Sequence, residues 1–286
     1  VDGDATKTVA PFHFIGGVIC VAPLPDGVHF VVGSKHFSLS LYHVDGTVRS
    51  FKGTRGDTKA VVVTDDGQHI ISGSSDRLVY VWSVASRSLL GTCGRLFNRN
   101  PDTGHTDWVC AVAAIPDAAI PDGQRILSGG YDKTVRVWLF DGTLENTFDL
   151  HTGAVRAVVV LPDNQHALSG SDDATVKLFN VNDGSVMRTF THHTHWAFGI
   201  RTSAFATPAA VKSLALLPDG RRFISGSTDE TARIAEHGFA FKPEQAWLDA
   251  EAKAKREAEE KAKAKLSLRA PWIPSRGPAA TGRVRR

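Results

Sequence analysis

Histidines are the residues best equipped for chemistry in this chain, and their spacing is uneven. His192, His193 and His195 crowd into His192-His193-Thr194-His195-Trp196. Imidazoles at such spacing suit zinc, copper or nickel. No carboxylate or thiolate stands close by to complete a ligand set, so a solvated loop is the preferred reading and no metal is expected. No G-x-S-x-G nucleophile turn and no Gly-rich phosphate loop occurs in the sequence. The reading is therefore of a chain with no catalytic residues and no cofactor. Cys20, Cys93 and Cys110 form no C-x-x-C pair. Reduced, mostly buried thiols follow, with an intracellular setting, cytoplasmic or nuclear.

The elements that must position these residues belong to a chain of 286, of which 42% are hydrophobic and 22% charged. That is enough apolar material for one large domain or two ordinary ones. No apolar run approaches the roughly 18 residues of a membrane span, so no membrane partner is expected. The first residues, Val1-Asp2-Gly3-Asp4, lack the basic and apolar regions of a secretory signal. Because Val1 is not Met, a processed chain or a fragment is expected. The net charge of +3 divides unequally: 237–286 carry twelve Lys/Arg against six Asp/Glu, leaving 1–236 mildly acidic. Electrostatic attraction to acidic partners belongs to that tail.

One phrase recurs along the body. It reads Ile71-Ser-Gly-Ser-Ser-Asp-Arg-Leu-Val-Tyr-Val-Trp82, then Leu127-Ser-Gly-Gly-Tyr-Asp-Lys-Thr-Val-Arg-Val-Trp138. Copies return at Leu168–Phe179 and Ile224–Ala235, and a worn one at Val32–Tyr42. The glycines Gly33, Gly73, Gly129, Gly170 and Gly226 lie 40, 56, 41 and 56 residues apart. A period near forty with two insertions is the mark of a propeller blade. Within a period the pattern gives four short strands. Val155–Leu161 is apolar and ends at a Pro162-Asp163-Asn164 corner, and Thr134-Val-Arg-Val-Trp138 alternates. Such sheets cannot bury their faces alone, but packed radially they can. The inner strands carry no Asp, Glu or His, so a metal-holding channel finds no ligands there.

These repeats resemble the WD40-repeat β-propeller family over residues 1 to about 236. The resemblance implies an all-β fold of about five four-stranded blades, either a small ring or part of a larger one. It also implies a hydrogen-bond relay inside each blade: Asp accepts from His, His from Ser, and Ser from Trp. Blade three carries His105, Ser128, Asp132 and Trp138. Blade four has His151, Ser169 and Asp173, with Phe179 in the Trp place. Blade two has Ser72, Asp76 and Trp82, with Thr54 in the His place. Blade five has Ser225 and Asp229, with Thr207 and Ala235 in the other two places. Blade one, with Phe14, Val32, His36 and Tyr42, has none of it. Residues 1–12 align with Val44–Phe51, an outermost strand, and are expected to complete the last blade and cover its edge.

Two insertions, 91–103 and about 192–206, join an outer strand to the next inner one. In this family such connections lie on the face where partners dock. Trp108, Tyr131, Asp172, Ser75 and Thr228 align onto that face, with Arg95 and Phe97 in the first insertion. Exposed aromatics with arginine nearby have the composition of a binding hot spot. Trp108 packing under its own insertion is the equal alternative. Beyond residue 236, Pro243 to Leu266 is rich in Ala, Glu and Lys, with i,i+4 pairs such as Glu257–Lys261, and predicts a charged helix before a disordered basic end. The expected function is a non-enzymatic scaffold for protein partners. The alternatives are an RNA-associated factor using the basic tail, with nucleic acid as partner, or a substrate receptor of a ubiquitin ligase.

Overall fold

A computed structural model describes residues 17–35, 38–94, 103–116, 124–193 and 209–239. Nineteen strands and no helix occur among them. Blade one holds β1 (Val18–Pro23), β2 (His29–Ser34), β3 (Ser38–His43) and β4 (Val48–Phe51). Blade two holds β5 (Thr58–Val63), β6 (His69–Ser74), β7 (Val79–Ser83) and β8 (Leu89–Cys93). Blade three holds β9 (Val109–Pro116), β10 (Gln124–Gly130), β11 (Val135–Leu139) and β12 (Leu144–Phe148). Blade four holds β13 (Val155–Val160), β14 (His166–Ser171), β15 (Val176–Asn180) and β16 (Val186–Phe190). Blade five holds β17 (Val211–Leu216), β18 (Arg222–Ser227) and β19 (Ala232–Glu236). Each is an antiparallel meander in chain order, so the five sheets are the blades of an all-β propeller. The fifth has three strands among the described residues. The expected pairing of residues 1–12 with it, and the charged helix from Pro243, fall outside them.

Turn chemistry explains where the strands stop. At the first corner of blade one, Asp26 Oδ1 accepts from the N–H groups of Val28 and His29 at 3.0 and 2.9 Å. Asp163 and Asp219 do the same in blades four and five. The second corner is an Asx turn repeated four times: Asp76, Asp132, Asp173 and Asp229 each accept from the N–H two residues on. The residue between, Arg77, Lys133, Ala174 or Glu230, takes a left-handed φ of 64–77°.

The core lies between blades rather than within them. Inner strands pack in series: β1 on β5, β5 on β9, β9 on β13, β13 on β17. Ile71, Val79 and Val81 of blade two, for example, share a cluster with Val109, Val112, Ile126 and Trp138 of blade three. The glycine of each second strand permits this approach. A Cβ on Gly73 would sit 2.8 Å from Val109 Cγ1, and one on Gly129 2.5 Å from Val155 Cγ1. The central blade is accordingly the best buried, with every residue of β10 enclosed.

Candidate interaction face

In blade three, Trp138 Nε1 donates to Ser128 Oγ at 2.8 Å, and Ser128 Oγ lies 2.7 Å from His105 Nε2. His105 Nδ1 lies 2.9 Å from Asp132, which also accepts from the Thr106 N–H and the Thr134 hydroxyl. Burial pushes the Asp132 carboxyl up, but these bonds outweigh it and hold the group at about 2. Burial also depresses His105, which stays neutral and can keep its place in the relay. Blade four brings His151 to Ser169 at 2.8 Å and to Asp173 at 2.9 Å, and Phe179 is fully buried in the Trp position. In blade two Trp82 Nε1 donates to Ser72 at 3.0 Å, while the Tyr80 hydroxyl donates to Asp76 at 2.5 Å. Tyr80 thus serves the carboxylate that histidine serves elsewhere. Blade one replaces the relay by a stack of Phe30 on Tyr42, with centroids 5.3 Å apart.

Blade five differs from the sequence reading in one member. The imidazole that meets Asp229 at 2.9 Å and Ser225 at 2.8 Å is His193, while the Thr207 expected there lies outside the described residues. His192 Nε2 also reaches Ser225, at 2.9 Å. Two members of the histidine cluster are therefore bound into the blade. His195 lies outside the described residues. No group of three or more His, Cys, Asp or Glu able to hold a metal occurs among those described. An open hollow of about 390 Å³ at the far end of blade one is lined by His29, His43 and Arg49. Its two imidazoles are each tied through Nδ1 to a carboxylate, Asp26 or Asp45.

At the end of the blades where the Asx turns lie, side chains from four blades join into one band. The Asp57 N–H donates to Ser75 Oγ at 2.8 Å, and the Asp57 carboxylate forms an ion pair with Lys59 at 3.1 Å. The Lys59 ammonium lies 4.5 Å from the centre of the Trp108 ring. Trp108 meets Tyr131 edge-on at 5.3 Å, and the Arg156 guanidinium lies 4.0 Å from the centre of the Tyr131 ring. Arg156 also bonds the Tyr131 hydroxyl and grips Asp172, which takes a second cation in Lys212 at 2.7 Å. Burial alone would lower Arg156; the bonds to Asp172 and Tyr131 reverse the sign and raise it. Asp172 is likewise raised by burial but lowered on balance by Arg156 and Lys212.

The band has a positional logic. Lys59, Arg156 and Lys212 each stand second in an inner strand, and Ile19 and Cys110 fill the sister positions. Trp108 is 42% exposed, with the Lys59 ammonium over its ring and Tyr131 against its edge. Thr228 lies at the blade-five end, its N–H on the carbonyl of Ala210. Arg95 and Phe97 lie outside the described residues. The sequence reading picked out Trp108, Tyr131, Asp172, Ser75 and Thr228 but missed Lys59, Arg156 and Lys212. Their signal was available: cations at one recurring place in otherwise apolar strands.

The repeat with its Asx turns and relays now has a counterpart outside this chain. Residues 45–83, 96–138, 142–180 and 184–235 match the family described as WD domain, G-beta repeat. The chain belongs to the WD-repeat family. Among curated WD-repeat relatives, Autophagy-related protein 16 of Arabidopsis thaliana is 27% identical over 65% of this chain and 31% of its own length. The Ubiquitin fusion degradation protein 3 homolog of Caenorhabditis elegans is 31% identical over 62% of this chain and 20% of its own length. Small ribosomal subunit protein RACK1 of Drosophila melanogaster is 34% identical over 46% of this chain and 52% of its own length. The chain thus spans between a fifth and about half of these relatives. No helix among the described residues is long and apolar enough to cross a membrane.

Proposed function

We propose that this WD-repeat chain is a non-enzymatic scaffold that binds a protein partner on the face bearing Trp108, Tyr131, Arg156 and Asp172. The observation that carries the reading is the continuous Lys59–Trp108–Tyr131–Arg156–Asp172–Lys212 band. Its charged groups hold the aromatic rings in place before a partner arrives, so little side-chain entropy is lost on binding. A pre-fixed Trp beside Tyr and Arg has the composition of a hot spot. Ser75 and Thr228 extend the same surface, and the expected contributions of Arg95 and Phe97, outside the described residues, belong to this proposal as well. The four blade relays are structural in this reading and bind nothing.

The test is co-purification with mass spectrometry, comparing the whole chain with Trp108→Ala and Arg156→Ala. A set of proteins lost in both variants, with unchanged melting, supports the face. An identical set in all three overturns it. A second reading rests on the +6 charge of 237–286: nucleic acid bound through the tail. Such binding falls steeply with salt, and a chain ending at residue 239 would lose it. A role as substrate receptor of a ubiquitin ligase has support only in the name of the nematode relative. The division into a propeller, 1–236, and a basic tail belongs to the same proposal, as does a cytoplasmic or nuclear setting.

A further inference from the structure

Four times along the chain, one contact joins successive blades. The first residue of an inner strand, Thr58, Val109, Val155 or Val211, is fully buried against the glycine of the preceding second strand: Gly33, Gly73, Gly129 or Gly170. In blades three, four and five a second knob, Val112, Val158 or Leu214, fills the same recess three residues on. The series has two loose ends. Val18 and Val21, the equivalent knobs of blade one, are 59% and 61% exposed. Gly226, the equivalent recess of blade five, has among the described residues no atom within 4 Å of its Cβ position except from Ser213 of its own sheet.

The surroundings of that recess are uncovered as well. Ala232 faces Gly226 across the ladder, and Ile234 faces Ile224. Ile234 is 59% exposed, whereas its sister residues Leu41, Val81, Val137 and Leu178 are 8% exposed or less. On blade one the open part is the inner strand, since Val32 and Tyr42 farther out are buried. One end therefore offers the valine pair that the other end lacks, in the chemistry already used inside the chain.

We propose that the two end faces dock head to tail between two copies of this chain, Val18 and Val21 of one entering the Gly226–Ala232–Ile234 recess of the other. A contact between different surfaces of identical copies closes into a ring if its rotation permits and extends otherwise. Its geometry continues the blade-to-blade interface, and its partner is fixed by the β-branched knob that only a glycine recess admits. This goes beyond the partner face around Trp108, which lies at the strand ends and stays open in the docked pair.

The test is sedimentation of the whole chain across a concentration series, with Val18→Asp and Gly226→Val. Neither change should harm the monomer: Val18 is exposed, and Gly226 lies outside the left-handed region with, among the described residues, only the rotatable Ser213 hydroxyl to displace. The whole chain should self-associate, and each variant should do so at least about tenfold more weakly. An equimolar mixture of the two variants should regain one contact per pair, since one keeps the recess and the other the knob. A chain that stays monomeric at every concentration overturns the proposal. So does a monomer whose melting both variants lower, because the two ends would then meet within one chain.

Discussion

Blades three and five share the phrase Ser-Gly-x-x-Asp-x-Thr and the same Asx turn, yet their surroundings differ sharply. Blade three has four strands, all four relay members and a neighbour on each side. Blade five has three strands among the described residues, three relay members, and a face on which Ile234 is exposed. Even so, His193 sits as close to Asp229 and Ser225 as His105 does to its own partners, within 0.1 Å. Polar satisfaction is therefore a property of the single blade. Apolar burial is a property of the neighbours.

The widest separation should come from the indole that blade five lacks. Trp138→Ala removes a 1% exposed side chain and should cost about 3–5 kcal/mol in chemical denaturation. A comparable loss on changing Ala235, which holds the same place in blade five, would erase the distinction.

The carboxylates come next. Asp132→Ala strands His105, the Thr106 N–H and the Thr134 hydroxyl, and removes the anion 3.8 Å from the buried Arg136 guanidinium. It should cost roughly 1–3 kcal/mol. Asp229→Ala strands His193 and Thr231 and should cost less, but measurably so. A silent Asp229→Ala would break the view that His193, Ser225 and Asp229 form a working relay in blade five.

How much of this was legible in the sequence depends on the anchor used. Repeating Gly, Ser and Asp announced the blades because each has a fixed place in the meander. His193 escaped because the relay histidine was counted back from the following strand: His105 and His151 stand four residues before Val109 and Val155, and four before Val211 is Thr207. In blade five the insertion falls between histidine and strand, whereas in blade three it falls before the histidine. Counting forward from the preceding strand would have found it, since His151 is three past Phe148 and His193 three past Phe190. The Tyr80–Asp76 bond was hidden for another reason, because a tyrosine in an alternating strand carries no sign of its hydroxyl's partner. Lys59, Arg156 and Lys212 stand far apart in the sequence, and only the fold gathers them into one band at one end of the blades.

Acid should sharpen the comparison further. Asp132 and Asp229 both ionise near 2 when folded, below the ordinary 3.8, so the folded state holds fewer protons. Their contribution is full above about pH 5 and is lost as pH falls toward 2, roughly 2 kcal/mol for Asp132. His105, depressed from 6.5 by burial, starts the decline earlier, because the unfolded imidazole takes a proton that the folded one refuses. Urea midpoints should thus drop steadily below about pH 6.5, and His105→Gln should flatten the first part of that drop. A flat profile down to pH 4 in the unaltered chain would contradict a neutral, buried His105.

The smallest effect is expected at the face. Trp108 is 42% exposed, so Trp108→Ala should shift stability by no more than about 0.5 kcal/mol. A larger loss would place the ring in the core of blade three, against its presentation as a contact.

Packing in series, β1 on β5 and so on to β17, has a kinetic side. Where each unit leans only on its neighbours, order propagates along one dimension, and the ends melt before the middle. Amide exchange should therefore trace a gradient, slowest along β10 and fastest in the terminal sheets. A partner gripping Tyr131 and Arg156 would be held by the stretch of the chain that lets go last.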